Sequence, residues 1–402
     1  MAAQWLEAIG YAYKNKGFGG DVYHPIVKAT GIQLSDGVDK GYGVLQETDF
    51  DGPDYVMREY LKRNVWKFSV AKNYNDCIRL SNLLLKKDGS LRSWNEFKRE
   101  AMFVVGESNR YLKTEYDTIV ASAQMSRLWQ EIQRDKHIFP YVQFDVVMDG
   151  RTSEICEPLN KLIFSVDDPV LAYYFPPNHF NCRTTVRKLR SAIPSTNYQL
   201  PEIPEQFKNN PGQSGLIFTD KNPYIENTPD EVLKDSEKFA ERWKTYSELL
   251  NDKNYNSVEL SDNFGLKATH QKHNFDKRTG RYEKDVQNIG FKEGNEVIFE
   301  AEPGNEYKVN YTDGTWNGLH FEIAGTETGT ENNIRNGLKH CASKTDTEVA
   351  VLYFPNENFS TENFEKGLRK YNGLKGDERQ YKKFKKIICI SGGKIVYEKS
   401  HK

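Results

Sequence analysis

Two short blocks near the middle of the chain decide the interpretation of its first half. The first is DGRTSEIC, residues 149–156, and the second is PPNHFNCRTTV, residues 176–186. Together they contain two thiols and one imidazole, on Cys156, Cys182 and His179. These groups could meet in space and bind a zinc ion, since thiolates and imidazole suit tetrahedral zinc.

A second interpretation of the same residues is structural, and we favour it from the sequence. No fourth zinc ligand is evident, and the cysteines lack the close pairing of most zinc sites. Cys156 and Cys182 would then be buried apolar groups of a small core, and His179 would cap a turn. Arg151 and Arg183 would pair with carboxylates or backbone carbonyls rather than act in catalysis.

The region before the two blocks is predicted to be helical. Ser93 is typical of a helix N-cap and has Glu96 three residues later. From residue 94 to residue 119, apolar side chains recur at spacings of three and four, which indicates one buried stripe on a long helix that continues to Ile132. Over residues 141–148, every second side chain is apolar, which is typical of a β-strand with one buried face.

In this order and spacing, the two blocks resemble the Mu F-like minor head proteins of phages. In that family an Arg-Thr-Ser-x-x-Cys block precedes a Pro-Pro-x-His-x-x-Cys-Arg block, after a mostly helical region. The resemblance covers residues 94–190. It differs from the commonest pattern at Leu159-Asn160-Lys161, where a glycine usually lies, and at Thr184, where a second cysteine is frequent.

The resemblance implies a mostly α-helical head-morphogenesis domain with a small β element. The role implied is structural, as a minor component inside the procapsid near the portal. Its partners would be portal, capsid and scaffold proteins, and its location would be the virion, with the host cytoplasm during assembly or after injection.

Composition limits the classes of protein to which the chain can belong. With 402 residues, 37% hydrophobic and 13% aromatic, it is long enough for more than one folded core, and a net charge of −1 gives no global attraction to nucleic acid. No apolar run is long enough to span a membrane, no secretory signal is visible, and the five scattered cysteines predict a reducing compartment. We divide the chain into an unassigned segment 1–53, a head domain 54–190, a linker with one helix 191–253, and an α/β domain 254–402.

The C-terminal domain is predicted to contain alternating helices and strands. The elements are a helix over 281–292, strands over 296–300, 307–312 and 319–324, a helix over 332–343, and a strand over 347–354. A helix capped by Ser360 and a final hairpin over 387–397 follow. The order α-β-β-β-α-β resembles the core of the PD-(D/E)XK nucleases.

In that nuclease fold, an Asp and a Glu with a backbone carbonyl hold a divalent cation that activates water for attack on a phosphodiester. The resemblance assigns Asp313 and Glu322 as ligands of Mg²⁺ or Mn²⁺ and adds Glu283 from the first helix. The lysine expected two residues after the Glu is replaced by Ala324. Either Lys339 from the next helix substitutes for it, or the domain is a divergent or inactive relative.

Residues 266–398 also resemble the C-terminal toxin domains of contact-dependent inhibition (CdiA-like) proteins, several of which are tRNA nucleases. Mu F-like proteins as a family carry such tails. The resemblance implies tRNA or DNA as the target and an immunity protein as a partner. A basic stretch, Lys366–Lys386, could contact a nucleic-acid backbone, although such runs are more often solvated surface.

Three alternatives stay open for this domain. Two of His270, His273, His320 and His340 could act as general base and acid of a metal-independent ribonuclease. The domain could instead be an inactive or binding module of a purely structural virion protein, as Ala324 suggests. An ADP-ribosyl transferase is disfavoured, because the Arg, Ser-Thr-Ser and Glu-x-Glu set does not occur in the needed order.

Overall fold

The protein consists of two compact units, Met1–Ala240 and Glu241–Lys402. The structure is a computed structural model, and it describes residues 1–44, 52–275, 280–301, 312–344, 346–374 and 384–401. The first unit is mostly helical and the second contains a mixed sheet, which confirms the predicted multidomain class. Over the described ranges, no helix has both the length and the apolar character to cross a membrane.

Four helices form most of the first unit. They are α1 Ala2–Asn15, α2 His24–Tyr42, α3 Pro53–Asn82 and α4 Trp94–Asp135. α4 begins where the sequence predicts, because the Ser93 hydroxyl accepts a hydrogen bond from the Glu96 amide and the Glu96 carboxylate accepts one from the Ser93 amide. One continuous helix follows, and its buried residues recur from Phe97 to Ile132.

α1 and α2 occupy the segment that the sequence leaves unassigned. α1 buries Trp5, Ala8, Ile9 and Ala12 at spacings of three and four. α2 approaches α3 closely through Gly31, since a Cβ built there would lie 2.3 Å from the Trp66 ring. The first 44 residues are therefore part of the helical core.

A small antiparallel sheet follows α4. Its strands are β1 Tyr141–Asp145, β2 Ile163–Ser165 and β3 Thr185–Leu189, in the order β2-β1-β3, and the short helix α5 Leu171–Tyr174 precedes β3. β1 ends three residues earlier than predicted because the inward alternation stops, with Val147 and Met148 both exposed. The core of this sheet contains Phe144 together with Cys156 and Cys182.

Residues 191–240 pack on the helices of the first unit, which differs from the predicted linker. Three short helices, α6 Pro211–Ser214, α7 Pro223–Glu226 and α8 Asp230–Leu233, precede α9 Asp235–Asn251. The buried Asn64 side chain accepts hydrogen bonds from the amides of Ile217 and Phe218, and the Phe218 ring stacks on Phe68 at 3.7 Å between centroids. A segment held by its backbone and its rings is a fixed part of the unit rather than a flexible connector.

The second unit contains an eight-stranded mixed sheet with three helices. Its elements are β4 Tyr255–Leu260, β5 Leu266–His270, α10 Gly280–Lys292, β6 Glu296–Phe299, β7 Gly314–Trp316, β8 Leu319–Gly325, α11 Glu331–Ala342, β9 Val349–Phe354, α12 Thr361–Asn372, β10 Lys386–Ser391 and β11 Lys394–Ser400. The strands follow chain order from β4 at one edge to β11 at the other. The β5–β6, β8–β9 and β9–β10 pairs are parallel and the remaining pairs are antiparallel.

The predicted helices of this unit and most of its predicted strands occur with small shifts of their ends, but the sheet is larger than the predicted core. β4 and β5 add two strands before α10, and they are not among the predicted elements. The strand predicted over 307–312 lies outside the described residues except for Thr312, and β7 begins at Gly314. The Asn317-Gly318 pair forms the predicted tight turn between β7 and β8, with φ of +50° and +77°.

The helices of the second unit cover both faces of its sheet. Val286 and Ile289 of α10 pack with Phe321 and Ile323 of β8. On the opposite face, α11 and α12 pack with a set that includes Ala324 of β8. Successive side chains of a strand point to opposite faces of the sheet. A residue of β8 that lies between Phe321 and Ile323 therefore points to the face covered by α11 and α12.

Candidate functional site

The two sequence blocks of the first unit meet in one cluster of side chains. The Cys156 Sγ atom lies 3.1 Å from His179 Nε2 and 3.6 Å from Cys182 Sγ. The ligand atoms of all three residues lie within 4.8 Å of one another. Both cysteines are buried and His179 is partly buried. The structure thus brings together the predicted zinc-ligand set, and it also places both cysteines in the core that we favoured from the sequence.

The His179 ring has a defined tautomer in this cluster. Its Nδ1 atom lies 2.7 Å from the Phe180 carbonyl oxygen, which can only accept a hydrogen bond, so Nδ1 carries a proton. In the neutral imidazole, Nε2 is then unprotonated and accepts from the Ser153 hydroxyl at 2.8 Å. The lone pair of Nε2 therefore points toward Ser153 and Cys156, which differs from the turn-capping role predicted for His179.

An ion pair between Asp149 and Arg183 holds the two blocks together. The Arg183 guanidinium donates to both Asp149 carboxylate oxygens, at 2.8 and 2.7 Å, and it holds the pKa of that carboxyl far below its usual range. Arg183 thus has the predicted structural role. The Arg151 side chain is 82% exposed and lies 3.9 Å from Asp149, so its pairing is weaker.

Hydrogen bonds within the first block fix its turn. The Thr152 hydroxyl accepts from the Asp149 amide and donates to the Val147 carbonyl, both at 2.8 Å. The Ser153 hydroxyl also accepts from the Cys156 amide at 3.1 Å. The Arg-Thr-Ser-x-x-Cys pattern therefore has a local explanation, because each of its short polar residues orients the chain before Cys156.

The departure from the family pattern near Lys161 also has a backbone explanation. Lys161 has a φ of +64°, in the left-handed region that glycine adopts most easily. Its ammonium group pairs with Asp145 of β1. The position that is usually glycine keeps its special conformation here, with a side chain that reaches the neighbouring strand.

The thiols of the cluster differ in their acidity. Hydrogen bonds from Cys156, His179 and the backbone lower the pKa of Cys182 to about 4. The pKa of Cys156 is raised, first by its hydrogen bond to Cys182 and then by burial. The pKa of His179 is raised mainly by its interaction with Cys182. Of the three groups, Cys182 is thus the thiol whose surroundings most favour the deprotonated form.

Comparison with known families gives this region an assignment. Residues 86–187 match the family model "Phage Mu protein F like protein". This Mu F-like segment contains α4, the small sheet and all three residues of the Cys–His cluster. The match supports the resemblance found from the two blocks.

A curated relative matches a similar fraction of the chain. It is the "Putative capsid assembly protein F" of Escherichia phage Mu, 34% identical over 85 residues, which are 21% of this chain and 19% of the relative. The chain thus matches about a fifth of that relative's length. No solved structure matches the chain.

Beyond the Mu F-like segment, Glu322 is the most enclosed of the predicted catalytic residues. Its side chain is 3% exposed and points to the face covered by α11, opposite to Phe321 and Ile323. There its carboxylate lies 3.1 Å from His340 Nε2 and 3.3 Å from the Lys344 ammonium. The second oxygen, Oε2, is buried without a hydrogen-bond partner.

Asp313 lies beside Glu322 at the start of β7. Its amide donates to the Phe321 carbonyl and its carboxylate accepts from the Ile323 amide at 2.8 Å. Burial raises the pKa of Asp313 well above its usual value, and the negative charges of Glu322 and Glu283 raise it further. The structure therefore couples the three predicted carboxylates electrostatically.

The same three carboxylates do not form one ready metal shell. Glu283 belongs to α10, on the other face of the sheet from Glu322, and its carboxylate lies 2.9 Å from His273 Nε2. Among the residues that the structure describes, the Cys–His cluster alone brings three ligand atoms within 4.8 Å of one another. Asp313 and Glu322 are thus the pair that could share a cation, and Glu283 lies apart from them.

The lysine beside this pair is Lys344 rather than the predicted Lys339. Lys339 is exposed in the last turn of α11. Lys344 follows the end of that helix and contacts Glu322, and its positive charge lowers the pKa of Asp313. A lysine is present near the carboxylates, but the sequence does not show which one because the helix end decides it.

The histidines of this unit are engaged with neighbouring groups. His273 is buried, with Nδ1 on the Glu300 carbonyl and Nε2 on Glu283, so both ring nitrogens are occupied. The Nδ1 atom of His270 accepts from the Lys272 amide, and His340 faces Glu322. His320, on β8, and His340 are both exposed, and His320 Nδ1 lies 3.5 Å from the Thr312 hydroxyl. Catalysis by two of these histidines in a metal-independent ribonuclease therefore stays a prediction.

The predicted basic stretch is largely paired where it is described. Lys366, Lys370, Lys385 and Lys386 each form an ion pair with a carboxylate. Residues 375–383 lie outside the described part of the chain. The described lysines therefore carry compensated charge, and nucleic-acid contact by this stretch stays a prediction.

Proposed function

We propose that the protein is a minor component of a phage head and acts in head assembly. The observation that carries this proposal is the family match over residues 86–187, which contain both blocks of the Cys–His cluster. Its partners would be the portal, capsid and scaffold proteins of the same phage. The virion, and the host cytoplasm during assembly, would be its location.

The geometry of the Mu F-like segment supports a structural role there. Its polar groups are used to join loops to one another, as in the Asp149–Arg183 pair and the Ser153–His179 contact. Its small sheet and the C-terminal half of α4 share one apolar core. Such an arrangement gives a rigid body that can hold a position in a larger assembly.

Co-expression with the capsid, scaffold and portal proteins of the same phage tests the assembly role. The full chain should sediment with the procapsids and should be retained after washing in high salt. Asp313→Asn is the matched control, since it alters only the second unit and should not change incorporation. Procapsids that form and exclude the wild-type chain would contradict the proposal.

We also propose a second activity, metal-dependent hydrolysis of nucleic acid by the C-terminal unit. Three observations support it: the buried Glu322 Oε2 atom without a partner, the raised pKa of Asp313, and the ammonium of Lys344 beside Glu322. Carboxyl groups with strongly shifted pKa values are typical of functional sites.

The donor chemistry of this pair fits Mg²⁺ or Mn²⁺. Mg²⁺ in proteins uses one or two carboxylates and keeps several waters, so Asp313 and Glu322 are enough to hold it. The ion would supply an activated water and a positive charge for a phosphodiester. Lys344 would orient the water or stabilise charge, and tRNA or DNA would be the substrate, with an immunity protein as the neutralising partner.

Cleavage assays on the purified full chain, with tRNA and with DNA, test this activity. Activity with Mg²⁺ or Mn²⁺ should fall on the order of 100-fold or more in Glu322→Gln, since loss of metal charge stabilisation removes several kcal/mol. Glu259→Gln, on edge strand β4, is the matched control and should retain activity.

Two outcomes of the cleavage assay would contradict the metal mechanism. Activity that persists in chelator and in Glu322→Gln would remove the two-carboxylate site. Lack of cleavage of any nucleic acid, with no growth inhibition on expression, would favour an inactive or binding module instead.

A further inference from the structure

The Cys–His cluster of the Mu F-like segment has the composition and spacing of a metal centre. We propose that Cys156, Cys182 and His179 bind one zinc ion that joins the loop after β1 to the loop before β3. The inference concerns a site distinct from the acidic pair of the second unit. It also explains why both sequence blocks contain soft ligands in addition to their structural residues.

The distances between ligand atoms are close to those that zinc imposes. With Zn–S bonds of about 2.3 Å and Zn–N bonds of about 2.0 Å at tetrahedral angles, two sulfurs lie about 3.8 Å apart, and a sulfur and a nitrogen lie about 3.6 Å apart. The observed separations are 3.6 Å for Cys156 and Cys182, and 3.1 Å for Cys156 and His179. All three ligand atoms lie within 4.8 Å of one another, so one ion could contact all of them.

The protonation pattern also suits a metal ligand set. His179 donates its Nδ1 proton to the Phe180 carbonyl and so presents Nε2 to the two cysteines, the usual outer contact of a zinc-bound imidazole. The Cys182 sulfur lies within 4.8 Å of both other ligand atoms, and both thiols would lose their protons as the ion binds.

Space for a fourth ligand exists beside the cluster. A cavity of about 20 Å³ is lined by Ser153, Cys156, His179 and Thr184, among others. That volume accommodates about one water molecule. The Thr184 hydroxyl oxygen is buried there without a partner. A zinc-bound water or the Ser153 hydroxyl can therefore occupy the fourth position.

A disulfide is the main chemical alternative for two neighbouring cysteines. Cys156 and Cys182 are free, and their 3.6 Å separation is well above the bond length of about 2.0 Å. The Nε2 atom of His179 lies 3.1 Å from the Cys156 sulfur, in addition to its contact with the Ser153 hydroxyl, and this position suits a third metal ligand. A disulfide would use the two sulfurs and would not use this nitrogen as a ligand.

Metal analysis of the full chain, purified with a reductant and without a chelator, tests the proposal. We expect about one zinc per chain, and we expect Co²⁺ in its place to give thiolate-to-cobalt absorption and tetrahedral d–d bands. Cys182→Ser and His179→Gln should each lose the metal. Cys77→Ser, at a buried cysteine of α3 in the same unit, is the matched control and should keep it.

The cobalt spectrum of the wild-type chain keeps the test decisive if a variant does not fold. Lack of both zinc and thiolate–cobalt absorption in folded wild-type protein would overturn the proposal. So would a Cys156–Cys182 disulfide found by mass spectrometry in protein from a reducing cytoplasm. Zinc retained in both Cys182→Ser and His179→Gln would place the ion elsewhere and would also overturn it.

Discussion

The two units of the protein treat buried charge in opposite ways. In the first unit, the Lys72 ammonium lies 2.8 Å from the Glu115 carboxylate between α3 and α4, and both side chains are 4% exposed. In the second unit, the charges of Glu322 and Glu283 add to burial in raising the pKa of Asp313. A direct cation partner stabilises the first carboxylate, whereas further carboxylates act on the second.

The two sites differ in the neighbouring charges that oppose or add to the effect of burial. Burial raises the pKa of both Glu115 and Asp76 in the first unit, but Lys72 opposes the shift at each of them. The raised pKa of Asp313 is opposed more weakly. Two negative charges add to the effect of burial, and the positive charge of Lys344 has the smallest effect of the causes. A fold tolerates such an excess at a functional site, where a cation or substrate supplies the missing charge.

The largest expected effect comes from breaking the compensated pair. Lys72→Met removes the cation and leaves Glu115 buried without a counter-charge, so we expect the free energy of unfolding of the first unit to fall by about 3–5 kcal/mol. The Glu115 Oε2 atom already has no hydrogen-bond partner, so the carboxylate cannot easily be satisfied in another way. Urea unfolding of the full chain, with hydrogen exchange of α3 and α4, measures the change.

Two variants check that burial is the cause. Lys113→Met removes an ion pair with Asp117 on the surface of α4, where Lys113 is 81% exposed, and should cost less than about 0.5 kcal/mol. The double variant Lys72→Met with Glu115→Met should recover most of the lost stability, because neither partner of the pair then stays buried as a charge, although Asp76 still loses the nearby charge of Lys72. Equal costs for Lys72→Met and Lys113→Met would contradict the distinction between the two kinds of pair.

The accumulated charge should give a pH dependence of its own. Because the folded pKa of Asp313 is raised, the stability linked to its protonated form is fully present below the usual 3.8 and is lost as the pH rises through the raised value. Asp313→Asn cannot ionise and should not show this loss. The variant should therefore gain in stability over the wild type between pH 4 and pH 8, by less than the effect of Lys72→Met.

Urea unfolding of the two proteins across that pH range, with hydrogen exchange reporting on β7 and β8, checks this expectation. Asp346→Asn, at an exposed carboxylate of the same unit, is the control and should follow the wild type. Added Mg²⁺ should narrow the difference between wild type and Asp313→Asn if the acidic pair binds it. A difference that does not change with pH would show that Asp313 is not strained by its neighbours.

The sequence predicts elements whose signals are local. α4 was predicted because an N-cap pair at its start and a long apolar stripe agree, and the structure confirms both. α1 and α2 were not assigned, and α2 packs through glycines that usually indicate turns. At Gly41, for example, a Cβ would lie 2.3 Å from the Val120 carbonyl oxygen. A glycine that is needed because another helix approaches closely looks like a turn residue in the sequence. Its place inside a helix is evident only once the neighbouring helix is known.

The same limit applies to the candidate sites. The sequence identifies Cys156, His179 and Cys182 by residue type. The hydrogen bond between the Ser153 hydroxyl and the His179 ring could not be predicted, because it depends on how two loops meet. In the second unit, a lysine was predicted near the carboxylates, but the sequence indicated Lys339, whereas Lys344 contacts Glu322. Lys344 reaches Glu322 because α11 ends at Ala342, a boundary that residue patterns locate only approximately.

The smallest of the expected effects has the opposite pH dependence and completes the comparison. The Ser93 amide, then its hydroxyl, then Lys86 lower the pKa of Glu96 to about 2. The stability linked to ionised Glu96 is therefore present above the usual 4.5 and is lost as the pH falls through about 2, opposite in direction to Asp313. Ser93→Ala removes the hydroxyl and should cost about 1 kcal/mol at neutral pH, a typical N-cap loss.

Urea unfolding of Ser93→Ala and wild type at pH 7 and near pH 2 measures this contrast. The cost of the substitution should shrink at the lower pH, where about half of Glu96 is protonated in the wild type and a protonated carboxyl accepts weaker hydrogen bonds. Ser90→Ala, at an exposed serine of the preceding turn, is the control for loss of a surface hydroxyl. A cost that grows as the pH falls would mean that Glu96 is held by something other than the helix cap, because only a carboxylate stabilised in its ionised form loses support on protonation.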